Sequence, residues 1–310
     1  MGDTKGGAFD LPGDRARDLL RAGPNPNGRP NSDVIVPWIN GLDITRRHRD
    51  MFIVDFGVDR AESESSMYEA PFEHVVSHVK PKRIENRREA YAEKWWIHVE
   101  PRPAMRRALR KLPRFLVTLT VARHRTFSWV SHPTLPDHQL IVFARSDDFF
   151  FGIMHSRVHE LWALNKGTQL EDRPRYTPSS TFETFPFPWA LSFGEQALSA
   201  EQKRHHAAIS VAAANLDQAR ARWLNPPELV TAEPDIVPNL PPRLVPKTDD
   251  SIPELKKRTL TKLYNEKPAW LRLLHEELDR LVLSAYGWPS TIADEEILES
   301  LLQLNHSRTD

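Results

Sequence analysis

Apolar residues recur along this chain with two periods, and the changes of period mark its elements. Residues 34–36 and 51–56 are rich in β-branched and apolar side chains, with a turn at Asn40-Gly41 between them, and they predict two strands. Over 64–80, Met67, Ala70, Val75, Val76 and Val79 give a rough helical stripe interrupted at Pro71. Residues 82–96 predict a second helix, polar on most faces, with Tyr91, Trp95 and Trp96 toward its end. A third short helix is expected over 104–112. Residues 115–122, 126–130 and 139–144 are strand-like. From 150 to 165, Ile153, Val158, Leu161, Trp162 and Leu164 share a broad face, which predicts one long helix.

The pattern shifts after Trp189. Ser199 and Gln202 fit a capping box at the head of an alanine-rich helix running to about Leu224. Residues 225–254 hold eight prolines and no periodicity, which suits an extended linker or strap. The tail is helical, with Leu271, Leu274, Leu278, Leu281 and Val282 repeating at three and four before Gly287 and Pro289 stop the helix. The expectation is an α+β fold in four stretches. Residues 1–30 are irregular apart from a short helix near 14–22, and 31–190 form a mixed domain. Residues 191–250 supply the long helix and proline-rich linker, and 251–310 a helical C-terminal region.

Composition narrows the setting. Forty per cent of the 310 residues are hydrophobic, enough for a real core. Cysteine is absent, so no disulfide framework or thiolate metal site exists, and a cytoplasmic location is expected. The N-terminal residues lack an apolar signal-peptide core, and the apolar runs are too short to span a bilayer, so no membrane partner is expected.

Charge changes the picture more. The 42 basic and 42 acidic residues cancel, yet residues 80–125 hold fourteen basic and four acidic side chains, a local balance of about +10. A surface that lies against a phosphate backbone needs such an island, because each neutralised phosphate releases condensed counterions. Arg83 and Arg87 are four apart, Arg106 and Arg110 likewise, and Arg123-His124-Arg125 sits where a strand gives way to a turn. Trp95 and Trp96 could stack on a base or close a core. The opposing reading is a solvated helix whose Glu85, Glu89 and Glu93 pair with its own arginines.

Other motifs carry less. His155 and His159 lie four apart on a helix, but the metalloprotease order is not met, and both histidine pairs, the second being His205-His206, read as structural. Asn225-Pro226-Pro227 resembles the core of amino-methylating DNA enzymes, but Glu228 stands where an aromatic should be, so linker is the better reading. Phe182 to Trp189 holds four aromatics and reads as a stiff strap plugging a groove between domains.

An ordered series of short matches resembles one family. It runs from Asn27-Gly28-Arg29-Pro30-Asn31-Ser32-Asp33-Val34 and Trp38 to Ile53-Val54-Asp55-Phe56-Gly57, Tyr68 to Phe72, Val79 to Arg83, Asn86-Arg87-Arg88, Trp95-Trp96, Arg102 and Met105-Arg106. It continues through Phe143, Phe151-Gly152, His155-Ser156, His159 to Trp162, Tyr176 and the aromatic strap. In the tail come Leu263-Tyr264-Asn265, Pro268 to Leu271, His275, Leu278-Asp279, Ala285 to Trp288 and Leu301 to Asn305. The series resembles the target recognition domain and helical C-terminal part of MmeI-like restriction–modification enzymes and related phage-defence adenine methyltransferases.

That resemblance implies sequence-specific recognition of double-stranded DNA on behalf of an adenine-N6 methyltransferase. The cofactor turn and the catalytic motif of such enzymes are missing here. No catalytic, cofactor or metal residue is therefore assigned in this chain, and S-adenosylmethionine is expected in a methyltransferase domain or subunit supplied by another chain. The DNA-contacting set is Lys80, Lys82, Arg83, Arg87, Arg88, Arg102, Arg106, Arg107, Arg123, His124 and Arg125. Lys80, Lys82, Arg83, Arg87 and Arg88 are expected on phosphates, and Arg102, Arg106, Arg123, His124 and Arg125 on base edges. Two alternatives stand beside this reading: a split-methyltransferase subunit active with a partner chain, and a non-catalytic protein- or RNA-interaction module.

Overall fold

Phe9, Leu11, Val34, Ile35, Phe52 and Ile53 are all fully buried, and the strands that carry them form the first core of the protein. The computed structural model describes residues 1–170, 173–190, 198–238 and 240–308. Strand Met51–Val54 pairs antiparallel with Asp10–Pro12 on one side and Ile35–Ile39 on the other, and Ile35–Ile39 takes the short Leu135–Pro136 in parallel. Helices Gly13–Arg21 and Glu69–His78 bring Ala16, Leu19 and Val75 into the same core, with Val79 just beyond the second of them. Each large apolar side chain so buried contributes about 1.5–3 kcal/mol.

Helices and several small sheets together make the expected α+β fold. Its units do not follow the expected division at 190. A sheet-based unit comprises Met1–Phe115, Trp129–Ala144 and Leu229–Ile252. A mainly helical unit comprises Leu116–Ser128, Arg145–Glu228 and Pro253–Asp310. The N-terminal stretch adds a strand, Asp10–Pro12, to the expected short helix. Phe9, just before that edge strand, and Leu11 within it are buried, and Gly2 sits so close to the carbonyls of Pro136 and Asp137 that a Cβ would lie 2.3–2.4 Å from their oxygens. The proline-rich stretch also acquires structure. Val230–Glu233 pairs antiparallel with Arg243–Pro246, and Asp235 ion-pairs with buried Arg17, which also holds Asp50.

In the helical unit the predicted 150–165 helix is two helices, Asp148–His155 and Arg157–Lys166. Ser156 breaks it. Its backbone is extended, and its hydroxyl accepts from the His159 amide at 3.3 Å, so a capping residue in mid-run starts a new helix. Helix Ala200–Leu224 begins with the predicted capping box, Ser199 and Gln202 exchanging bonds of 2.9 and 3.1 Å. It packs on Asp148–His155 and on Ala269–Ala285. A Cβ on Gly152 would stand 2.8 Å from Ile209 Cγ2 and 3.1 Å from Ala213 Cβ, so glycine permits that helix contact. The aromatic strap packs inside this unit instead of marking a domain boundary. Phe187 stacks on Phe150, Trp189 on Phe149, and the Pro186 carbonyl accepts from Tyr286 Oη at 2.8 Å.

Candidate nucleic-acid interface

The cationic island is divided by the fold. Lys80 to Arg107 lie in the sheet-based unit, and Arg123, His124 and Arg125 lie in the helical unit. Two core residues shape the first part. Val79 and Trp95 are buried in the sheet unit's core, and the chain between them loops out. The predicted 82–96 helix is therefore absent, replaced by the short helices Lys80–Arg83 and Glu89–Glu93. Asn86 supports the loop by accepting from the Arg88 amide at 2.9 Å. Trp95 and Trp96 close the core, the Trp96 indole N–H donating to the Arg60 carbonyl at 2.9 Å. Trp95, 4% exposed, is not free to stack on a base.

Three of the sequence-predicted DNA contacts turn inward, which corrects the expectation for them. Arg83 is 3% exposed and donates to the carbonyls of Tyr91 and Lys94 at 2.9–3.2 Å. Burial lowers its pKa from the ordinary arginine value. Arg106 binds Asp55 and Asp3, each at 2.5 Å. Burial opposes its charge, but Asp55 and Asp3 outweigh that and raise its pKa. In the helical unit, Arg125 donates to the Pro174 carbonyl at 3.0 Å and to Thr118 Oγ1 at 3.1 Å, and burial pulls its pKa down to about 10. A buried charged group must be paired or hydrogen-bonded, and here the fold itself supplies the partners.

The remaining candidates are less committed. Lys80 lies 4.5 Å over the Trp95 ring. Arg102 has a left-handed backbone, φ 48°, and spends its side chain on the Gly2 carbonyl and Glu100. His124 is bonded to Asn265 Oδ1 at 2.7 Å. Arg88 stacks on Tyr91 and reaches its hydroxyl at 3.0 Å. Lys82, Arg87, Arg88, Arg107 and Arg123 are exposed, as are Arg110 and Lys111.

Among the described residues, no carboxylate lies within 4.0 Å of Lys82, Arg87, Arg88, Arg107, Arg110 or Lys111. Glu85, Glu89 and Glu93 do not pair with them, so the self-paired helix is not what forms. The sheet unit thus presents six exposed cations without a carboxylate partner, on two stretches of chain, 82–88 and 107–111. Such charges repel one another unless counterions or an anionic partner lie close.

No protein-family model matches the chain, and no curated protein matches it. A solved structure that does match is the type IIL restriction–modification enzyme MmeI in complex with DNA, at a TM-score of 0.68 and 16% sequence identity. The chain has the fold of part of MmeI. The match covers 99% of this chain and 35% of the MmeI chain, so this chain spans about a third of that enzyme's length.

Arg46 lies outside the sequence-predicted set. It is exposed at the end of helix Gly41–Thr45 in the sheet unit, and the run Arg46-Arg47-His48-Arg49 is the signal that could have found it. Its neighbour Arg49 is spent on Asp43, at 2.9 Å. His155 and His159 are buried, and His159 Nε2 bonds Tyr176 Oη at 3.0 Å. No metal-binding group of three or more ligands occurs among the described residues, and no described helix is long and apolar enough to cross a membrane.

Proposed function

We propose that this chain recognises double-stranded DNA as the target recognition part of an adenine-N6 methyltransferase of the restriction–modification or phage-defence kind. S-adenosylmethionine binding and methyl transfer belong to a methyltransferase domain or subunit outside these 310 residues. One observation carries the reading: the six exposed cations at 82–88 and 107–111 that have no carboxylate partner. The likeness to a solved DNA-bound restriction–modification enzyme supports it. Lys82, Arg87, Arg88, Arg107, Arg110 and Lys111 hold phosphates, and Arg46 joins them. Arg123 reads a base edge, where a forked guanidinium contact is worth about 1–3 kcal/mol of discrimination. Arg83, Arg106 and Arg125 act only as anchors for the surfaces that carry the contacts.

The test is fluorescence anisotropy with duplex DNA at several salt concentrations. Arg107→Ala with Arg110→Ala weakens binding to all sequences and reduces the salt slope by about 0.9 for each phosphate no longer neutralised. Unchanged affinity and slope would overturn the interface. Competition by duplex RNA or heparin as strong as by duplex DNA would point instead to a charge-only surface. Methyl transfer from labelled S-adenosylmethionine by these 310 residues alone would overturn the assignment of catalysis elsewhere.

A further inference from the structure

The helical unit holds a cleft that the DNA reading does not use. It opens where helix Ala200–Leu224 ends and helix Ala269–Ala285 begins, with a volume of about 610 Å³. That lies within the range of about 300–1,000 Å³ typical of small-molecule sites. Two indoles, Trp223 and Trp270, line it, both partly exposed. Pro226 and Pro227 of the unabsorbed Asn-Pro-Pro run make a stiff wall, and Leu273, 57% exposed, adds an apolar edge.

Two cations line the same cleft. Arg258 lies 5.4 Å over the Trp223 ring and donates from Nη1 to the Trp223 carbonyl at 3.1 Å. Its Nε is buried with no acceptor, an unsatisfied donor of a kind folded proteins rarely keep. Among the described residues, no carboxylate lies within 4.0 Å of Arg258 or Arg222. Glu254 is spent on Lys257 at 2.7 Å. Glu228 is the one acidic lining residue, so the cleft carries two positive charges against one negative. A second apolar groove of about 440 Å³ shares Leu274 with the first but has no cation on its lining. Charge therefore singles out the first.

We propose that this cleft binds a flat aromatic ring bearing a negative charge, the ring against Trp223 and Trp270 and the anion toward Arg222 and Arg258. Aromatic rings gain from offset or edge contacts with indoles beyond their area burial, and a charge-assisted bond to guanidinium fixes the anion. The chemistry is shared by free aromatic carboxylates and by nucleotides. The inference stands apart from the DNA reading, since it uses none of the cations assigned there.

Isothermal titration of the full chain tests it with three probes: indole-3-acetate, adenosine 5′-monophosphate and tryptamine. One or both anions bind saturably, and tryptamine, the same indole with the opposite charge, binds about tenfold or more weaker. Displacement of indole-3-acetate by the nucleotide assigns the site to nucleotides, and failure to displace assigns it to aromatic acids. Arg258→Gln lowers anion affinity about fivefold or more. Arg258 also packs on Trp223, so exposed Arg222→Gln serves as the second variant, with the same direction of change and the circular dichroism of the parent. No saturable binding of either anion at about 1 mM, equal binding of tryptamine, or parental affinity in both variants would overturn the proposal.

Discussion

The two units bury arginine in opposite ways. In the sheet-based unit, Arg17 is held by Asp50 and Asp235, and Arg106 by Asp3 and Asp55. Arg83 is the exception there, meeting carbonyls and the Tyr91 ring. In the helical unit, Arg125 and Arg220 meet carbonyls, hydroxyls, rings and a histidine. Arg220 donates to the Phe127 carbonyl at 2.8 Å and to His155 Nε2 at 2.7 Å, with its carbon 5.7 Å from the Phe151 ring. The first arrangement neutralises charge inside the core. The second leaves a positive charge that its neighbours must tolerate, so His155, His159 and His275 are held neutral. Burial lowers all three, to about 3 for His159 and about 4 for His275, and Arg220 pushes His155 and His275 further down.

The largest break of this contrast comes from the carboxylates. Asp3→Ala strands Arg106 with half its neutralising charge, and stability falls by about 3–5 kcal/mol. Urea titration measures it, and a fall under about 1 kcal/mol would mean the ion pairs matter little. Gly152→Ala tests the helical unit by shape alone. The added Cβ overpacks against Ile209, at a cost of about 1–3 kcal/mol on the same assay.

Acid separates the units next. A histidine whose folded pKa is depressed favours unfolding once pH falls below its unfolded value near 6.5, so His159 and His275 withdraw stability down to about pH 3 and 4. Asp279 acts the other way. Burial raises it to about 7, partly countered by its bond from the Arg157 amide, so it withdraws stability as pH rises from 3.8 to 7. Three histidines outweigh it. In the sheet unit, burial tends to raise Asp50 and Asp55, but Arg17 and Arg106 outweigh it and hold both low, so their contribution disappears only below about pH 4. Hydrogen exchange corrected for intrinsic rates loses protection in the helical unit first between pH 7 and 5. Equal loss in both units would break the distinction. Asp279→Asn sharpens it, gaining on the parent by on the order of 2 kcal/mol as pH rises from 4 to 7 and no more above.

The smallest effect belongs to the exposed cations. Arg87→Ala or Arg107→Ala changes stability by no more than about 0.5 kcal/mol, while Arg83→Ala costs several times that. Equal costs would dissolve the line drawn between anchors and free charges.

That line was not legible in the sequence. The island at 80–125 was visible, and so were the strands near 34 and 51, the capping box at Ser199 and the leucine-bearing helix from 269. What hid was direction. The partners of Arg106 lie 103 and 51 residues away at Asp3 and Asp55, and no local pattern connects them. Likewise, Trp95 near the end of a polar run looked available for stacking, yet long-range burial broke the helix that would have presented it. Ser156 is the reverse case. Its N-cap chemistry was written in the chain, but an apolar face continuing past it masked the stop. The unit boundaries were invisible because each unit is assembled from three separate stretches.

That threading bears on how the proposed specificity can change. A crossover that imported residues 31–190 from a relative would bring most of one unit, only fragments of the other, and neither Asp3 nor Asp235. Arg106 would then depend on whether the recipient kept an acid at position 3, and the recipient's Arg17 on whether the imported segment kept one at position 50. For the proposed DNA interface, single exposed side chains are replaced in place more safely than whole cassettes are exchanged.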